Sequence, residues 1–496
     1  MQVLELIQST QSSLGSILPE LLLCLGFLLS LCVDVFLRRK SMLPFIVMAT
    51  LFSSLFFSIQ RKLNFTADVL LFNNFLKLHE SAINISIIAS IACMLCFIVC
   101  INLFKRNKLQ PELLYLFPVF LMASNFMIFS NHLLMYVIGV EFLSLISYIY
   151  IAYSIRNNRR AESSVKYILY GIMASAIMLW GLSGIYQFSG DLQLNSSFLS
   201  TLSKVESGRL VLPIVFFIAG LLYKISAFPM HYFVPDVYEG AEPKVLALIS
   251  TLPKIAGFAL LLNFSKSFSH DWQNMRLIWP NFPWVDFLVY IAIATLFVGN
   301  LSALSQKNLK RIFAYSSISH TGYLLMAIAS FSTVAEQSLW FYLSIYAISN
   351  IAIFVVLHIL EEKYSIYDLE ALQGFFKSDR SMSFLVVILL GSFVGLPPLA
   401  GFIAKFYVFS AAFEHYIQSA NTSVLILLIA AALNTVISLF YYFNIAKSIF
   451  LKDTSAQWEP RGEALQGFNT ERIVVYVLVF ALIIFGVFPN FLISLF

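Results

Sequence analysis

Five ionisable residues lie inside stretches that are otherwise apolar enough to cross a membrane. They are one glutamate, Glu141, and four lysines, Lys166, Lys224, Lys254 and Lys405. A charged side chain at the centre of a bilayer is unfavourable by at least about 2.5–3.5 kcal/mol. Burial and neighbouring charges bring the pKa values of lysine and glutamate towards ambient pH, where such groups exchange protons. The set therefore indicates a chain of proton-transfer groups in a hydrated interior.

Glu141 and Lys224 carry opposite charges and would act together as a switch. While the two side chains are paired, both stay charged, and once they separate the lysine is able to pass its proton to the next site. The alternative for Lys224 is a lysine that extends to the membrane surface from a kinked helix.

The segment 216–240, FFIAGLLYKISAFPMHYFVPDVYEG, predicts a membrane helix that is interrupted beside Lys224. Pro229 follows five residues later, and proline removes a backbone donor and clashes with the preceding turn. His231 and a polar run then close the segment. Transporters place interrupted helices of this kind beside buried ion paths, where the released backbone groups line a cavity.

A second interrupted helix is predicted at GLPPLAGFIAKFYVF, where Lys405 follows Pro397 and Pro398. Because the combination of a broken helix and an embedded lysine occurs twice, a functional role is favoured for Lys405.

The two remaining lysines differ in how well their sequence context supports a role. Lys254 follows Pro253 and lies well inside its span, which favours function. Lys166 follows Glu162 by four residues near the end of its span, so a surface i,i+4 ion pair explains it equally well.

Three histidines are weaker candidates. His231 could carry a proton onward from Lys224, and His320, in YSSISHTGY, lies in a helix whose serines and tyrosines could hold water. His358 is near a helix end and is the weakest of the three. A membrane histidine hydrogen-bonded to a backbone carbonyl is the alternative for each.

The composition places these residues in an all-α polytopic membrane protein. Hydrophobic residues make up 59% of the 496 residues and charged residues 11%, whereas a soluble domain carries about 25% charged residues. Apolar runs of about 20 residues predict about fourteen membrane-spanning helices. The predicted spans are 17–37, 42–59, 83–104, 112–130, 132–154, 163–187, 211–233, 244–264, 285–304, 310–331, 336–360, 382–412, 422–448 and 471–493.

The interrupted helices are the seventh and twelfth spans, which lie five spans apart. Spans 4–8 and 9–13 would then form two five-helix repeats, and an odd number of spans in each repeat gives the two repeats inverted topology. The predicted parts are an N-terminal three-helix segment at 1–110, five-helix repeats at 111–265 and 284–449, and a polar loop with a C-terminal helix at 450–496.

The distribution of charge predicts the orientation of the chain. Twenty lysines and arginines lie in the odd-numbered loops and at their span edges, against seven in the other loops. The odd-numbered loops should therefore lie in the cytoplasm or matrix, with both termini on the opposite side. Carboxylates near span ends, such as Glu20, Asp34 and Asp286, are expected in water at the headgroup level. The small net charge of +5 does not favour nucleic-acid binding.

Redox and nucleotide-binding signals are weak. Cys93, Cys96 and Cys100 form a CxxCxxxC pattern that could ligate an iron–sulfur cluster. No further ligand residue lies nearby, so small apolar side chains facing lipid or a neighbouring helix are favoured. No nucleotide-binding motif or soluble domain accompanies them. Energy for pumping must then come from partners or from a gradient.

Four long motifs resemble the antiporter-like membrane subunits of respiratory complex I, the proton-translocating NADH-quinone oxidoreductase. They are LPELLLCLGFLLSLCVDVF at 18–36, YKISAFPMHYFVPDVYEGA at 223–241, LKRIFAYSSISHTGY at 309–323 and GLPPLAGFIAKF at 395–406. The resemblance covers nearly the whole chain. It is strongest to subunits of the N type, the counterpart of mitochondrial subunit 2. Subunits L and M carry a motif of the form HAxFKAxLF in span eleven, whereas residues 346–358 here read YAISNIAIFVVLH.

This resemblance implies a role for each buried charge. Glu141 matches the span-five glutamate of the family, and Lys224 matches the span-seven lysine that pairs with it. Lys254 matches the central lysine of span eight, and Lys405 the span-twelve lysine that hands protons outward.

The resemblance also covers two of the weaker candidates and leaves one residue unexplained. Lys166 matches a span-six lysine, and His231 a histidine at the end of the broken seventh helix. Lys244 stands where the family usually has a neutral residue.

The resemblance further implies that this chain binds no cofactor, and that NADH, FMN, iron–sulfur clusters and quinone belong to partner subunits. The implied partners are membrane-arm subunits of the M, K, J, A, H and L types and the lipid bilayer, without nucleic acid. A bacterial inner membrane is favoured, with the mitochondrial inner membrane or thylakoid as alternatives.

A second hypothesis is a subunit of a stand-alone or multisubunit cation/proton antiporter. A sodium site needs several oxygen ligands, but only one deep carboxylate is available and lysines repel cations. The sequence therefore favours protons, and a purely structural scaffold would leave five buried charges unexplained.

Overall fold

The computed structural model describes residues 13–105, 111–153, 158–202, 204–267, 269–271, 276–277, 283–451 and 469–494. The first elements are α1 (Leu18–Cys32), α2 (Leu43–Leu63), β1 (Val69–Leu71), β2 (Leu76–Leu78), α3 (Glu80–Lys105), α4 (Pro111–Phe129), α5 (Leu133–Tyr153), α6 (Asn158–Ser189), α7 (Ser196–Leu202), α8 (Ser207–Ile225), α9 (Phe233–Gly240) and α10 (Pro243–Ser267). The later elements are β3 (Ser269–Asp271), β4 (Arg276–Leu277), α11 (Trp284–Leu304), α12 (Leu309–Ala329), α13 (Thr333–Tyr364), α14 (Arg380–Val394), α15 (Ala400–Ser419), α16 (Thr422–Leu451), α17 (Asn469–Val487) and α18 (Pro489–Ile493). The strands form two short antiparallel pairs, β1 with β2 and β3 with β4.

The predicted membrane architecture is confirmed. Within the described ranges, 13 helices are long and apolar enough to cross a membrane. The predicted span 382–412 is divided between α14 and α15, and α14 has only 15 residues. The other predicted interruption lies at 226–232, between α8 and α9. Both broken helices therefore occur where lysine and proline predict them.

Both interruptions begin with a residue in the left-handed backbone region. Ser226 follows α8 with φ 63°, and Gly395 ends α14 with φ 88°. A left-handed residue ends a helix because it turns the chain out of the helical hydrogen-bond ladder. A proline stands three residues later in each case, Pro229 and Pro398. The same local arrangement thus ends both helices.

The chain divides into two compact units. The first comprises Met1–Arg156, Tyr167–Ile225 and Leu252–Phe282, and the second comprises Asn157–Lys166, Ser226–Thr251 and Pro283–Phe496. The division falls within α6 and α10 and at the interruption after α8. The four sequence-defined parts and the inverted repeat stay predictions.

Exposed apolar side chains mark the surfaces that would contact lipid. On α16, the side chains of Ile429, Leu433, Val436, Phe440 and Phe443 are more than half exposed. They repeat every three or four residues and so share one helix face. By contrast, α10, α12 and α13 are buried along almost their whole length.

The predicted exposure of the carboxylate to water is wrong for Glu20. This residue is only 2% exposed in the first turn of α1. Its carboxylate accepts hydrogen bonds from Arg61 at 2.6 Å and from the Asn125 amide at 3.0 Å. Two partners inside the same unit replace the water that a carboxylate at the helix end would otherwise need.

Candidate proton-transfer sites

Lys224 lies in the last turn of α8, within the first unit, and its side chain is buried. Its Nζ donates a hydrogen bond to Ser144 Oγ on α5 at 2.9 Å. Lys224 is only 4% exposed, which does not fit a lysine that extends to the membrane surface. The lysine is instead held inside the unit by a neutral acceptor.

Glu141 stands three residues before Ser144 on α5, so the two side chains share a helix face. Its carboxylate is close enough to Lys224 to interact electrostatically with it. In the described part of the chain, Oε1 of Glu141 is buried and accepts no hydrogen bond. The structure therefore holds Lys224 on Ser144, with the glutamate nearby as an unused acceptor. Among the described residues, the structure contains no direct ion pair between Glu141 and Lys224.

Lys254 is 2% exposed on α10, after Pro253. One turn further on, Gly257 faces Ile225 at the end of α8, and a Cβ atom at Gly257 would lie 2.6 Å from Ile225 Cγ2. A glycine is needed there because the end of α8 approaches α10 so closely. This packing holds α10 against the end of the helix that carries Lys224.

Lys405 lies on α15 in the second unit and is 7% exposed. Its Nζ donates to the Val394 carbonyl at 2.8 Å and lies 4.7 Å from the centre of the Tyr323 ring. Val394 is the last residue of α14, whose terminal carbonyls have no partner within the helix. The interruption thus supplies the acceptor, and the aromatic face adds a cation–π interaction.

A cavity of about 10 Å³ lies beside Lys405 and is lined in part by His320 and Tyr342. That volume is close to the minimum needed to hold one water molecule. His320 Nδ1 and the Tyr342 hydroxyl are hydrogen-bonded at 2.7 Å, and Tyr442 lies 3.5 Å from Nε2. An amine, an imidazole and phenol groups therefore surround a space of the right size for a proton-carrying water.

The sequence interpretation missed a polar row along α13. Tyr342, Tyr346 and Asn350 follow one another at four-residue steps and share one face. Asn350 Nδ2 donates to Ser250 Oγ at 2.5 Å, and Tyr346 donates to the Ser250 carbonyl at 3.3 Å. The four-residue spacing in the stretch YLSIYAISN could have revealed the row.

His231 lies between α8 and α9 and is 6% exposed. Its ring packs against the rings of Phe228 and Tyr232. Among the described residues, its Nδ1 has no hydrogen-bond partner. The ring does form a hydrogen bond with the backbone of Pro229, which fits the alternative of an imidazole bonded to a backbone carbonyl.

Lys166 takes part in an ion-pair cluster around Asp236 and Glu239 of α9. It lies 2.7 Å from Glu162, as the i,i+4 alternative predicts, and 2.9 Å from Asp236. Arg311 binds Asp236 and Glu239 from α12, each at 2.9 Å. Partial burial raises the pKa of Asp236, but hydrogen bonds from Lys166 and Arg311 outweigh it and hold that pKa below its usual value. The cluster ties α9 to α12 and to the first part of α6, which lies in the same unit.

Cys93, Cys96 and Cys100 are buried in α3. Cys93 Sγ lies 3.8 Å from the Phe117 carbonyl. Within the described ranges, no group of three or more histidine, cysteine, aspartate or glutamate side chains is arranged to hold a metal ion. The arrangement agrees with packing as small apolar side chains.

The membrane helices, the two interruptions and the buried lysines define an antiporter-like membrane protein. The family described as "NADH:quinone oxidoreductase/Mrp antiporter, TM" matches residues 130–438. The chain belongs to this family.

Similar proteins narrow the relationship to one subunit type. The chain is 36% identical over 357 residues to NADH-quinone oxidoreductase subunit N 2 of Sorangium cellulosum, covering 70% of this chain and 69% of that protein. It is 31% identical over 486 residues to subunit N of Pelagibacter ubique, covering 94% and 96%. A chain of respiratory complex I from Thermus thermophilus has the same fold, with a TM-score of 0.77, 23% identity and coverage of 96% and 99%. The resemblance to subunit N is thereby confirmed.

The cluster around Asp236 gives a testable prediction for α9. In Asp236→Asn, loss of the carboxylate charge should speed amide hydrogen exchange in α9 about fivefold, since partly exposed pairs contribute about 1 kcal/mol or less. The ionised Asp236 carboxylate stabilises α9 fully at pH values above the ordinary pKa of aspartate. This stabilisation is lost as the pH falls through the lowered pKa of Asp236. Hydrogen-exchange mass spectrometry of the 233–240 peptide measures the effect.

A matched control is Glu370→Gln, which removes the highly exposed Lys307–Glu370 pair in the same unit. That variant should leave α9 unchanged. Equal exchange of α9 in the wild type and Asp236→Asn would contradict the assigned role of the cluster.

Proposed function

We propose that this chain is the proton-translocating membrane subunit, of the subunit N type, in NADH-quinone oxidoreductase of a bacterial inner membrane. The observation that carries the proposal is Lys224, a buried amine held by Ser144 one helical turn from the unused carboxylate of Glu141. The names of the similar proteins support the same assignment.

The first transfer step follows from the Lys224 site. With Nζ on Ser144, the lysine lacks a direct ion pair, and its ammonium form is less stabilised than it would be against a carboxylate. It then releases its proton more readily. Movement of Nζ towards Glu141 would stabilise the ammonium form again and reload the site. The short side-chain swing between a hydroxyl and a carboxylate on one helix face is the switch.

Lys254 is proposed as the next acceptor within the first unit. It is a buried amine on α10, the helix that Gly257 holds against the end of α8. A proton leaving Lys224 needs an acceptor with an adjustable pKa, and a buried lysine meets that requirement.

Lys405 and His320 are proposed as the transfer groups of the second unit. The Val394 carbonyl and the Tyr323 ring stabilise the charged lysine, while the small cavity gives a water access to it. His320 lines the same cavity and is able to accept a proton from that water or return one to it. His231 and Lys166 are further candidate relays, on the basis of the family resemblance.

Energy for pumping would come from partner subunits. NADH, FMN, iron–sulfur clusters and quinone are proposed to reside there, with membrane-arm subunits of the M, K, J, A, H and L types surrounding this chain in the bilayer. The inverted repeat would give the two interrupted helices opposite orientations. Each half would then contain one lysine beside one helix break.

A cation/proton antiporter subunit is the second candidate, because the matched family includes Mrp antiporters. The two functions predict different partners. The affinity-tagged chain, extracted in mild detergent, should co-purify NADH:quinone oxidoreductase activity in a single complex. Purification of a complete antiporter complex without that activity would contradict the proposal.

The Ser144 contact predicts the behaviour of two serine variants. In Ser144→Ala, Lys224 loses its neutral acceptor and should stay paired with Glu141, so NADH-driven proton uptake should fall several-fold. Ser147→Ala is the matched control, because Ser147 is equally buried on α5 and bonds only to the Leu143 carbonyl among the described residues. Proton uptake by sealed membrane vesicles measures both. Equal uptake by the two variants would show that Ser144 has no part in the switch.

A further inference from the structure

A second cluster of buried charges lies in the second unit, apart from the lysine sites described above. Lys244 on α10 and Glu471 on α17 form an ion pair at 2.5 Å, and both side chains are 0% exposed. Glu242, just before α10, lies 3.2 Å from His358 Nδ1 on α13. The His358 ring is close enough to interact with the charges of Lys244 and Glu471 as well. Four titratable groups therefore share one buried space.

The formal charges of this cluster do not balance while the imidazole is neutral. Glu242 and Glu471 contribute two negative charges and Lys244 contributes one positive charge, which leaves −1. Protonation of His358 brings the sum to zero. A buried net charge is unfavourable, so the cluster is built to take up one proton.

Two neighbouring ion pairs are each neutral and do not alter this count, and Lys363, a further buried cation on α13, interacts with Arg472 and Asp379. Lys310 on α12 lies 3.1 Å from Glu361 on α13, and it also donates to the Ala241 carbonyl at 3.2 Å. Arg472, next to Glu471 on α17, binds Asp379 at the start of α14. Each pair is neutral.

The cluster also has a route for the proton. Glu242 has 14% of its side chain exposed, whereas the Lys244, Glu471 and His358 side chains are fully buried. Glu242 is thus the member that meets water. His358 lies on the same face of α13 as Asn350. The two residues are separated by two four-residue steps, with Phe354 between them.

We infer that Glu242, Lys244, His358 and Glu471 form a binding site for a single proton at the corner between α9 and α10. In the neutral ring the proton is on Nε2, so a proton from water that reaches the Glu242 carboxylate passes to Nδ1 of His358 and gives an imidazolium with an N–H at both nitrogens. When the proton leaves, His358 returns to its neutral form. The Lys244–Glu471 ion pair lies beside the imidazole and sets its proton affinity. Lys244 thereby gains a role that the family comparison does not provide.

The inference predicts opposite effects from removing the two charges. In Lys244→Met the loss of a positive charge raises the proton affinity, so the pH at half-maximal NADH-driven proton uptake should rise by about one unit or more. In Glu471→Gln the affinity falls and that pH should fall by a similar amount. The double variant K244M/E471Q restores the original charge count and should return the profile to the wild-type position. A merely structural pair would give no such reversal.

The measurement uses the assembled complex in sealed vesicles, with assembly checked on native gels. Removing one partner of a buried pair leaves an uncompensated charge and could prevent assembly, so a second comparison starts from the double variant. Adding His358→Gln to it keeps a donor for Glu242 but removes the titrating ring, and the pH dependence assigned to the site should disappear. If the triple and double variants show the same profile, or if the assembled single variants match the wild type, the inference is wrong.

This test rests on the proposed function but separates the two. NADH oxidation by the wild-type complex without proton uptake would overturn the proposed function. Normal wild-type uptake with unshifted variant profiles would overturn only the one-proton site.

Discussion

The structure depends on keeping charged amines inside a largely apolar interior. An unpaired ammonium is strongly unfavourable there, and full pairing with a carboxylate would hold its proton too firmly for transfer. In the structure, neutral hydrogen-bond acceptors and an aromatic ring stabilise the ammonium groups in place of a carboxylate. Lys224 donates to a serine hydroxyl, and Lys405 donates to a backbone carbonyl beneath an aromatic ring. Both lysines are stabilised without a direct carboxylate partner among the described residues.

The helix interruptions are a consequence of the same constraint. An intact helix offers a buried lysine no free backbone acceptor, because its carbonyls are bonded within the helix. Ending α14 at Val394 releases one such carbonyl for Lys405. The helix α8 ends one residue after Lys224, and Ser226 and Pro229 prevent its continuation. At both lysines, the backbone next to the helix end is irregular.

Much of this arrangement could be predicted from sequence, because lysines and prolines stand out within apolar stretches. Glu141, Lys224, Lys254, Lys405 and both helix breaks were recognisable in this way. The groups that form hydrogen bonds with these side chains could not be predicted in this way. Nothing in the sequence distinguishes Ser144 from Ser147 on the same helix, and both hydroxyls donate to the backbone carbonyl four residues earlier.

Contacts between distant parts of the chain were equally hidden. Lys244 and Glu471 are 227 residues apart, and each looks like an ordinary residue at a span edge. Glu20 was misjudged for the same reason, since its partners Arg61 and Asn125 come from other helices. The local sequence shows which charged residues lie within apolar stretches. Only the folded structure shows which side chain or backbone group forms the ion pair or hydrogen bond with each of them.

The central claim is that a buried lysine beside a helix break carries protons in step with a redox reaction in partner subunits. The most direct test replaces Lys224 with methionine and measures NADH-driven proton uptake and electron transfer to quinone in the same sealed vesicles. Lys307→Met, at a highly exposed surface lysine, serves as the control. The account predicts that both activities fall together in Lys224→Met while the complex remains assembled. Wild-type levels of both would contradict it, because Lys224 would then be a structural lysine only.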